Sequence, residues 1–182
     1  MERFALAKIA QWAGAGGIHG RKRLQKVIFF LKQAGCPLDA DYTLHHYGPY
    51  SRDVAEACDE LVGAGILAEE ASSTIAGGTQ YAYTLTPAGT AALASTERRR
   101  GDGTPRLEGF GSLAVELIQR DIWELELGST ILFFHDLNGG SDWDEAVRRA
   151  CEFKKIDPKT DRTVNAAAAL AQRVHQKANY LN

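Results

Sequence analysis

The spacing of apolar residues and glycines over the first 95 residues most restricts what this chain can fold into. Apolar residues recur at positions i, i+3, i+4 and i+7 over residues 21–34, the spacing of one helix face. They are Leu24, Val27, Ile28 and Leu31. A shorter amphipathic helix is predicted before them, ending at the glycines of residues 14–17. A third helix is predicted to begin at Ser51, whose hydroxyl can accept an unpaired backbone N–H.

Strand patterns follow the third predicted helix. Residues 66–70 and 79–85 are predicted as a β-hairpin around Gly77-Gly78, and residues 39–46 as a short extended piece. Gly48-Pro49 is interpreted as a break, and Pro87 as the first residue of a fourth helix. The order of elements is that of a winged helix, whose third helix and hairpin wing normally face the ligand.

The second part of the chain is predicted to be helical. Residues 96–106 contain two glycines, a proline and four arginines, so they are interpreted as a linker between a winged-helix-like domain, 1–95, and a helical region, 107–182, that packs on it. Helices are expected over 107–122, 125–136, 143–153 after an Asp142 cap, and from Asp161 or Thr163 onward. The predicted class is therefore α+β, predominantly α, with a small β-hairpin wing.

Composition indicates the cellular compartment in which the protein is expected. The formal net charge is −2, which gives no overall basic excess. No apolar run approaches the ~20 residues that span a bilayer, so no membrane association is expected. Cys36, Cys58 and Cys151 are odd in number and form no CxxC spacing, as expected of free thiols in a reducing compartment. We therefore expect a cytoplasmic protein.

Two motifs carry a family resemblance. Residues 20–32 read GRKRLQKVIFFLK and residues 45–51 read HHYGPYS. The pair resembles the K-L-Q-K helix and H-x-Y-G-P-[YF]-S segment of YwgA-like proteins and, more distantly, of the Panacea or SocA-like antitoxin domain. The resemblance covers residues 18 to about 153 and implies a winged-helix-like fold. The SocA-like members act as adaptors or neutralisers through protein contacts.

No residue pattern predicts catalysis, a metal site or a bound cofactor. His45 and His46 are neighbours in an extended segment and point to opposite faces, so they cannot easily share one ion. His135-Asp136 could form an acid–base pair, but a histidine at a helix C-terminus also complements the helix dipole. Residues 14–20 are glycine-rich without a P-loop signature, and Cys58 falls on a buried helix stripe. The protein is expected not to be an enzyme, with a histidine-based enzyme as the least favoured hypothesis.

Charge separates the two leading functions. Residues 1–35 carry seven basic residues and one acid, whereas residues 36–95 carry one basic residue and eight acids. The outward positions of the third helix are therefore mainly acidic, and the wing over residues 71–78 is uncharged. Such a helix repels phosphates, since DNA affinity depends on several Lys or Arg contacts.

We therefore predict a regulatory adaptor or antitoxin-like protein that binds another protein. The candidate partners are a toxin or effector encoded nearby and a second copy of the chain in a homodimer. The candidate interface residues are Tyr47, Pro49, Tyr50, Arg52, Glu56, Asp59 and Glu60. The alternative is a winged-helix, helix-turn-helix bacterial regulator that contacts a nucleic-acid backbone through its basic second helix. Its candidate residues are Arg21, Lys22, Arg23, Lys26, Arg98, Arg99 and Arg100.

Overall fold

The computed structural model describes residues 1–73, 77–100, 105–140, 142–158 and 161–181. The described chain is α+β and predominantly helical, as predicted. Its first half contains these elements in order: α1 (Arg3–Ala13), a short 3-10 turn (Gly14–Gly16), β1 (Ile18–His19), α2 (Arg21–Gln33), β2 (Thr43–His45), β3 (Gly48–Tyr50), α3 (Arg52–Gly63), β4 (Leu67–Ser73), β5 (Thr79–Leu85) and α4 (Pro87–Arg100).

The predicted hairpin is present and is joined by a strand that the sequence did not reveal. β4 and β5 pair antiparallel from Leu67↔Leu85 to Ser73↔Thr79. β1 adds to the other edge of β5, which gives the sheet order β1-β5-β4. Gly17 permits this approach, because a Cβ there would lie 2.7 Å from the Tyr83 carbonyl oxygen. The central residues of the predicted wing, 74–76, lie outside the described residues.

Gly48-Pro49 is not the simple break that was expected. Gly48 is the first residue of β3, which pairs antiparallel with β2, and His46 and Tyr47 form the turn between the two strands. The predicted cap of α3 is confirmed, since the Ser51 hydroxyl accepts a hydrogen bond from the backbone N–H of Val54. The hairpin β2–β3 therefore leads directly into α3.

The second half is helical, with two corrections. The helices are α5 (Pro105–Glu108), α6 (Gly111–Gln119), α7 (Ile122–Leu137), α8 (Trp143–Lys154) and α9 (Thr163–Leu181). The single helix expected over 107–122 is divided, because Asp121 caps α7 by accepting hydrogen bonds from two backbone N–H groups. The linker expected over 96–106 is helical as far as Arg100, where α4 ends, and residues 101–104 lie outside the described residues. The Asp142 cap of α8 is confirmed.

One cluster of buried apolar residues joins both halves of the described chain. α7 lies at its centre and packs on α2, α8 and α9. The alanine-rich α9 approaches α7 closely, because a Cβ at Gly128 would lie 2.9 Å from the Ala167 carbonyl oxygen. Ala167 and Ala171 are fully buried, so the small side chains of α9 let the two helices pack tightly. No helix in the described ranges is long and apolar enough to cross a membrane.

Candidate functional site

The two sequence motifs face each other across a cleft. Its cavity of about 370 Å³ lies between α2, the hairpin β2–β3, α3 and Tyr83 of β5. Both motifs contribute to the walls, which consist mainly of apolar surface. The lining residues used below are Arg21, Lys22, Gln25, Lys26, Tyr47, Tyr50, Cys58, Asp59 and Tyr83.

Gln25 ties one motif to the other. Its side-chain amide donates a hydrogen bond to the Ser51 carbonyl oxygen and accepts one from the Ser51 backbone N–H, both at 2.9 Å. Gln25 and Ser51 are buried, so water cannot replace these bonds. The amide therefore fixes the entry to α3 against the side of α2.

Lys26 holds the same segment one residue earlier. Its Nζ donates a hydrogen bond to the Pro49 carbonyl oxygen at 2.6 Å, and the residue is 2% exposed. Burial lowers the pKa of Lys26 to about 7, although Glu126 opposes the shift and the neighbouring Lys154 and Lys22 add to it. The sequence pattern placed Lys26 among the residues that contact a nucleic-acid backbone. The structure instead buries it inside the protein.

A carboxylate from α7 pairs with Lys22, one of the residues that line the cleft. Glu126 is buried and accepts hydrogen bonds from Lys22 at 2.7 Å and Lys154 at 3.3 Å. We call Glu126 with Lys22, Lys26 and Lys154 the Glu126 cluster. Three basic side chains surround one acid there, so the cluster carries net positive charge even with Lys26 partly neutral. Burial also lowers the pKa of Lys154.

The turn fits closely over this cluster. Gly48 has a φ of +93°, and a Cβ at that position would lie 2.6 Å from the Thr130 Oγ1 of α7. Both the backbone conformation and the space therefore require glycine. This explains why the HHYGPYS motif has glycine at position 48.

Arg21 forms the opposite rim and is engaged in an internal network. Its guanidinium donates to the Tyr83 hydroxyl at 2.8 Å and to Glu69 at 3.0 Å, and it lies 3.4 Å from Asp59. The Tyr83 hydroxyl itself donates to Glu69 at 2.5 Å. Desolvation and the Glu69 carboxylate raise the pKa of Tyr83. Arg23 is also engaged: it donates to the carbonyl oxygens of Ile118 and Arg120.

Two exposed aromatic rings lie beside Lys22, which lines the cleft. Tyr47 is 53% exposed and Trp123, in the first turn of α7, is 67% exposed. Their ring centroids lie 4.4 Å and 5.9 Å from the same Lys22 ammonium. We call Tyr47 and Trp123 the aromatic pair.

The structure distributes the other predicted interface residues unevenly. Pro49 is buried, which corrects its expected place on a contact surface, and Tyr50 is half-buried with its ring 4.8 Å from that of His45. The outer face of α3 is exposed, and part of its charge is paired, Asp59 with Arg21 and Glu60 with Arg3. The exposed residues of that face are Arg52, Glu56, Asp59 and Glu60.

The second basic group lies on a different helix from the first. Arg98, Arg99 and Arg100 are exposed at the end of α4, which packs on α1. Arg100 pairs with Glu2, and its guanidinium covers the ring of Phe4 at 4.4 Å. The cations of α2 instead face α7, β5 and the α6–α7 junction.

Sequence reasoning missed Tyr83, which lines the cleft, and also Trp123 and Glu126, which lie beside its lining residue Lys22. A carboxylate in the apolar run 125–136 was the available signal for Glu126, because a buried acid requires a basic partner. The exposure of Trp123 could not be predicted from the sequence in this way. Its neighbour Ile122 is equally apolar, and only tertiary packing decides which of the two faces outward.

Comparison with known proteins gives one informative relative. The chain is 34% identical to the uncharacterized protein YwgA of Bacillus subtilis (strain 168), over an alignment of 162 residues that covers 80% of this chain and 93% of the relative. No family model matches the chain.

Proposed function

The chain belongs to the YwgA-like family, and we propose that it is a non-enzymatic regulatory protein that binds a segment of a partner protein at the cleft between α2, the β2–β3 hairpin and α3. The first half is winged-helix-like in this proposal. The order α1, β1, α2, α3, β4, β5 and the sheet β1-β5-β4 support that description. The resemblance to SocA-like domains implies an adaptor or antitoxin-like role, and such a role would consist of binding a partner protein.

The aromatic pair is the observation that carries the proposal. Tyr and Trp are the residue types that dominate the energetics of protein interfaces, and they act where an apolar pocket lies beside them. Tyr47 and Trp123 are both more than half exposed and flank the ammonium of Lys22, which lines a cavity with mostly apolar walls. A partner segment with one side chain seated in this cavity would contact Tyr47, and it would cover Trp123 where it continues past Lys22.

The charges define the partner's chemistry. The Glu126 cluster places excess positive charge beside the cleft, and Lys22 remains about half exposed there. A carboxylate next to a large apolar anchor would meet Lys22 while the anchor enters the cavity. We therefore expect the partner segment to contain a bulky apolar residue adjacent to Asp or Glu.

The same contacts weigh against the nucleic-acid alternative. Of the four cations predicted on α2, Lys26 is buried, Arg21 and Lys22 face carboxylates, and Arg23 binds backbone carbonyls. Counterion release needs cations that are free to neutralise phosphates. The exposed face of α3 adds acidic side chains where a winged helix would approach DNA.

The chemistry of the cleft wall also favours binding over catalysis. Burial raises the pKa of the Cys58 thiol to about 12, so it is protonated and weakly nucleophilic at neutral pH. Lys26 has the lowered pKa of an activated amine, but its Nζ is engaged in a hydrogen bond to the Pro49 carbonyl oxygen. The packing of the cleft wall thus accounts for the shifted pKa values of both Cys58 and Lys26 without a catalytic role.

Peptide selection tests the proposal. A library of random peptides displayed on phage is selected on the immobilised full chain, and the affinities of the recovered peptides are measured by fluorescence anisotropy. We expect an apolar residue beside Asp or Glu in the recovered sequences. Trp123→Ala and Tyr47→Ala should each weaken binding about tenfold or more, the loss expected of an interface hot spot.

Leu137→Ala is the matched control, because Leu137 is 62% exposed on the same helix as Trp123 but at its other end. Equal affinities of Trp123→Ala and Leu137→Ala for every selected peptide would overturn the proposal. So would micromolar binding of random duplex DNA that falls steeply between about 50 and 200 mM salt. In that case, combined replacement of Arg21, Lys22 and Arg23 or of Arg98–Arg100 by alanine would locate the contact.

A further inference from the structure

A second group of polar side chains lies where α7 ends against α9. His135 and Asp136 are in the last turn of α7, and His175 projects from α9. One ligand-type atom from each of the three lies within 4.8 Å of the other two. This group is separate from the cleft described above and was not predicted, since the residues are 40 positions apart and match no metal-binding motif.

His135 is a buried polar side chain whose hydrogen-bonding capacity the described residues do not satisfy. It is 1% exposed, and within the described part of the chain neither of its ring nitrogens has a hydrogen-bond partner. Its Nδ1 lies 3.8 Å from the Asp136 carboxylate, which is too long for a hydrogen bond. An unsatisfied buried polar group is costly, so such a ring points to a ligand that bonds to it.

Neighbouring side chains hold two of the three groups, His135 and Asp136, in place. The indole of Trp143 stacks on the His135 ring at 3.7 Å and 14°, which fixes the plane of the imidazole. Gln33 donates a hydrogen bond to one Asp136 oxygen at 2.7 Å, and the other oxygen faces His135. A polar partner behind a ligand, as Gln33 lies behind Asp136, is typical of the second layer of a metal site.

We propose that His135, Asp136 and His175 bind one divalent transition-metal cation, with zinc as the representative ion, and that the ion clasps α9 to the end of α7. Two imidazoles and one carboxylate form a ligand set that zinc accepts, with a fourth position left for water. The proposal does not depend on the function of the cleft.

Only modest movement is required. In a tetrahedral site with bonds of about 2.0–2.1 Å, ligand atoms lie about 3.4 Å apart. The three groups must therefore close by a little over one ångström from their present separation. Asp136 is exposed and His175 half-buried, so these two side chains can move toward His135, which Trp143 holds in place.

Zinc titration of the full chain tests this site. Isothermal titration calorimetry should show one zinc ion per chain, and excess zinc should raise the Tm. The indole N–H resonance of Trp143 should shift on saturation, because its ring lies against a ligand. Asp136→Ala and His175→Ala should each weaken zinc binding by about 100-fold or more, beyond the loss expected from disturbing the second layer alone.

The variants are chosen so that a folding defect cannot mimic the result. Asp136 and His175 are accessible, whereas replacement of the buried His135 could disturb packing. The control replaces His45 and His46 together by alanine, since they are exposed histidines on the β2–β3 hairpin. Unchanged zinc binding in the control supports the assignment. The proposal is overturned by absence of saturable binding, by binding that both ligand variants retain, or by binding that the control loses.

Discussion

The bond between Gln25 and Ser51 offers the sharpest perturbation of the structure that joins the two motifs. Replacing Gln25 by alanine removes a donor and an acceptor at once. It leaves the Ser51 N–H buried without a partner, whereas the Ser51 C=O keeps the 3.3 Å hydrogen bond that it accepts from the Ala55 N–H. Each buried group left unsatisfied costs about 1–3 kcal/mol. The unpaired N–H and the loss of the second hydrogen bond should together lower the free energy of unfolding by about 2–4 kcal/mol, a large part of the ordinary 5–15 kcal/mol of a domain.

Urea unfolding followed by circular dichroism measures this loss. Gln176→Ala is the matched control, because Gln176 is an exposed residue within α9, so helix propensity changes equally in both variants. The control should stay within about 0.5 kcal/mol of the wild type. A loss below about 1 kcal/mol for Gln25→Ala, or a loss equal to that of the control, would refute the assignment of Gln25 as the bond between the motifs.

Gln25→Glu adds an independent check on the direction of the two hydrogen bonds. An ionised carboxylate still accepts from the Ser51 N–H but cannot donate to the Ser51 carbonyl oxygen. Burial against that oxygen would place the folded-state pKa of the new carboxyl above its unfolded value. The defect of this variant relative to wild type should therefore be smaller near pH 4 than near pH 8. A defect independent of pH would contradict the geometry.

Three further predictions concern the same cleft and the packing beside it. Lys26 has a folded-state pKa of about 7, below its unfolded value, so between these two values the unfolded chain binds more protons and the free energy of unfolding should rise with pH. Lys26→Met should remove about 2 kcal/mol of this rise between pH 7 and 9, measured as the difference between urea unfolding curves. An unchanged pH dependence in the variant would refute the burial of the Lys26 amine. Gly48→Ala should lower the free energy of unfolding by about 2–5 kcal/mol, from the strained φ and the clash with Thr130, and a neutral result would contradict the close fit. Gly63→Ala, its control in open space near the end of α3, should be neutral or stabilise by up to about 1 kcal/mol in the same assay.

Local signals account for the parts of the fold that the sequence predicted well. The caps at Ser51 and Asp142 and the first-turn Pro87 act on neighbouring backbone groups, so they can be recognised without knowing the tertiary structure. The paired strands β4 and β5 likewise follow from alternation on either side of a glycine pair. Predictions that depended on neighbours in the chain were therefore mostly confirmed.

The errors arose where partners are distant in sequence. β1 has two residues, and it exists because Tyr83 and Ala82, more than 60 positions away, offer it an edge. Lys26 looks like its basic neighbours on α2, but it points toward the Pro49 carbonyl and away from solvent. The sequence accordingly predicted only one member of the aromatic pair at the proposed binding site. Tyr47 was predicted from its turn, whereas Trp123 enters the site through the packing of α7 on α2.

The indole resonances of the three tryptophans provide the most direct test of the proposed cleft, because each reports on a different region. Trp123 lies beside Lys22 of the cleft, Trp12 contacts the region of Gly111, and Trp143 covers His135. When a selected peptide is titrated into the ¹⁵N-labelled full chain, the Trp123 resonance should shift to saturation while those of Trp12 and Trp143 remain in place. A saturable shift of Trp12 or Trp143 with Trp123 unmoved would contradict binding at the cleft.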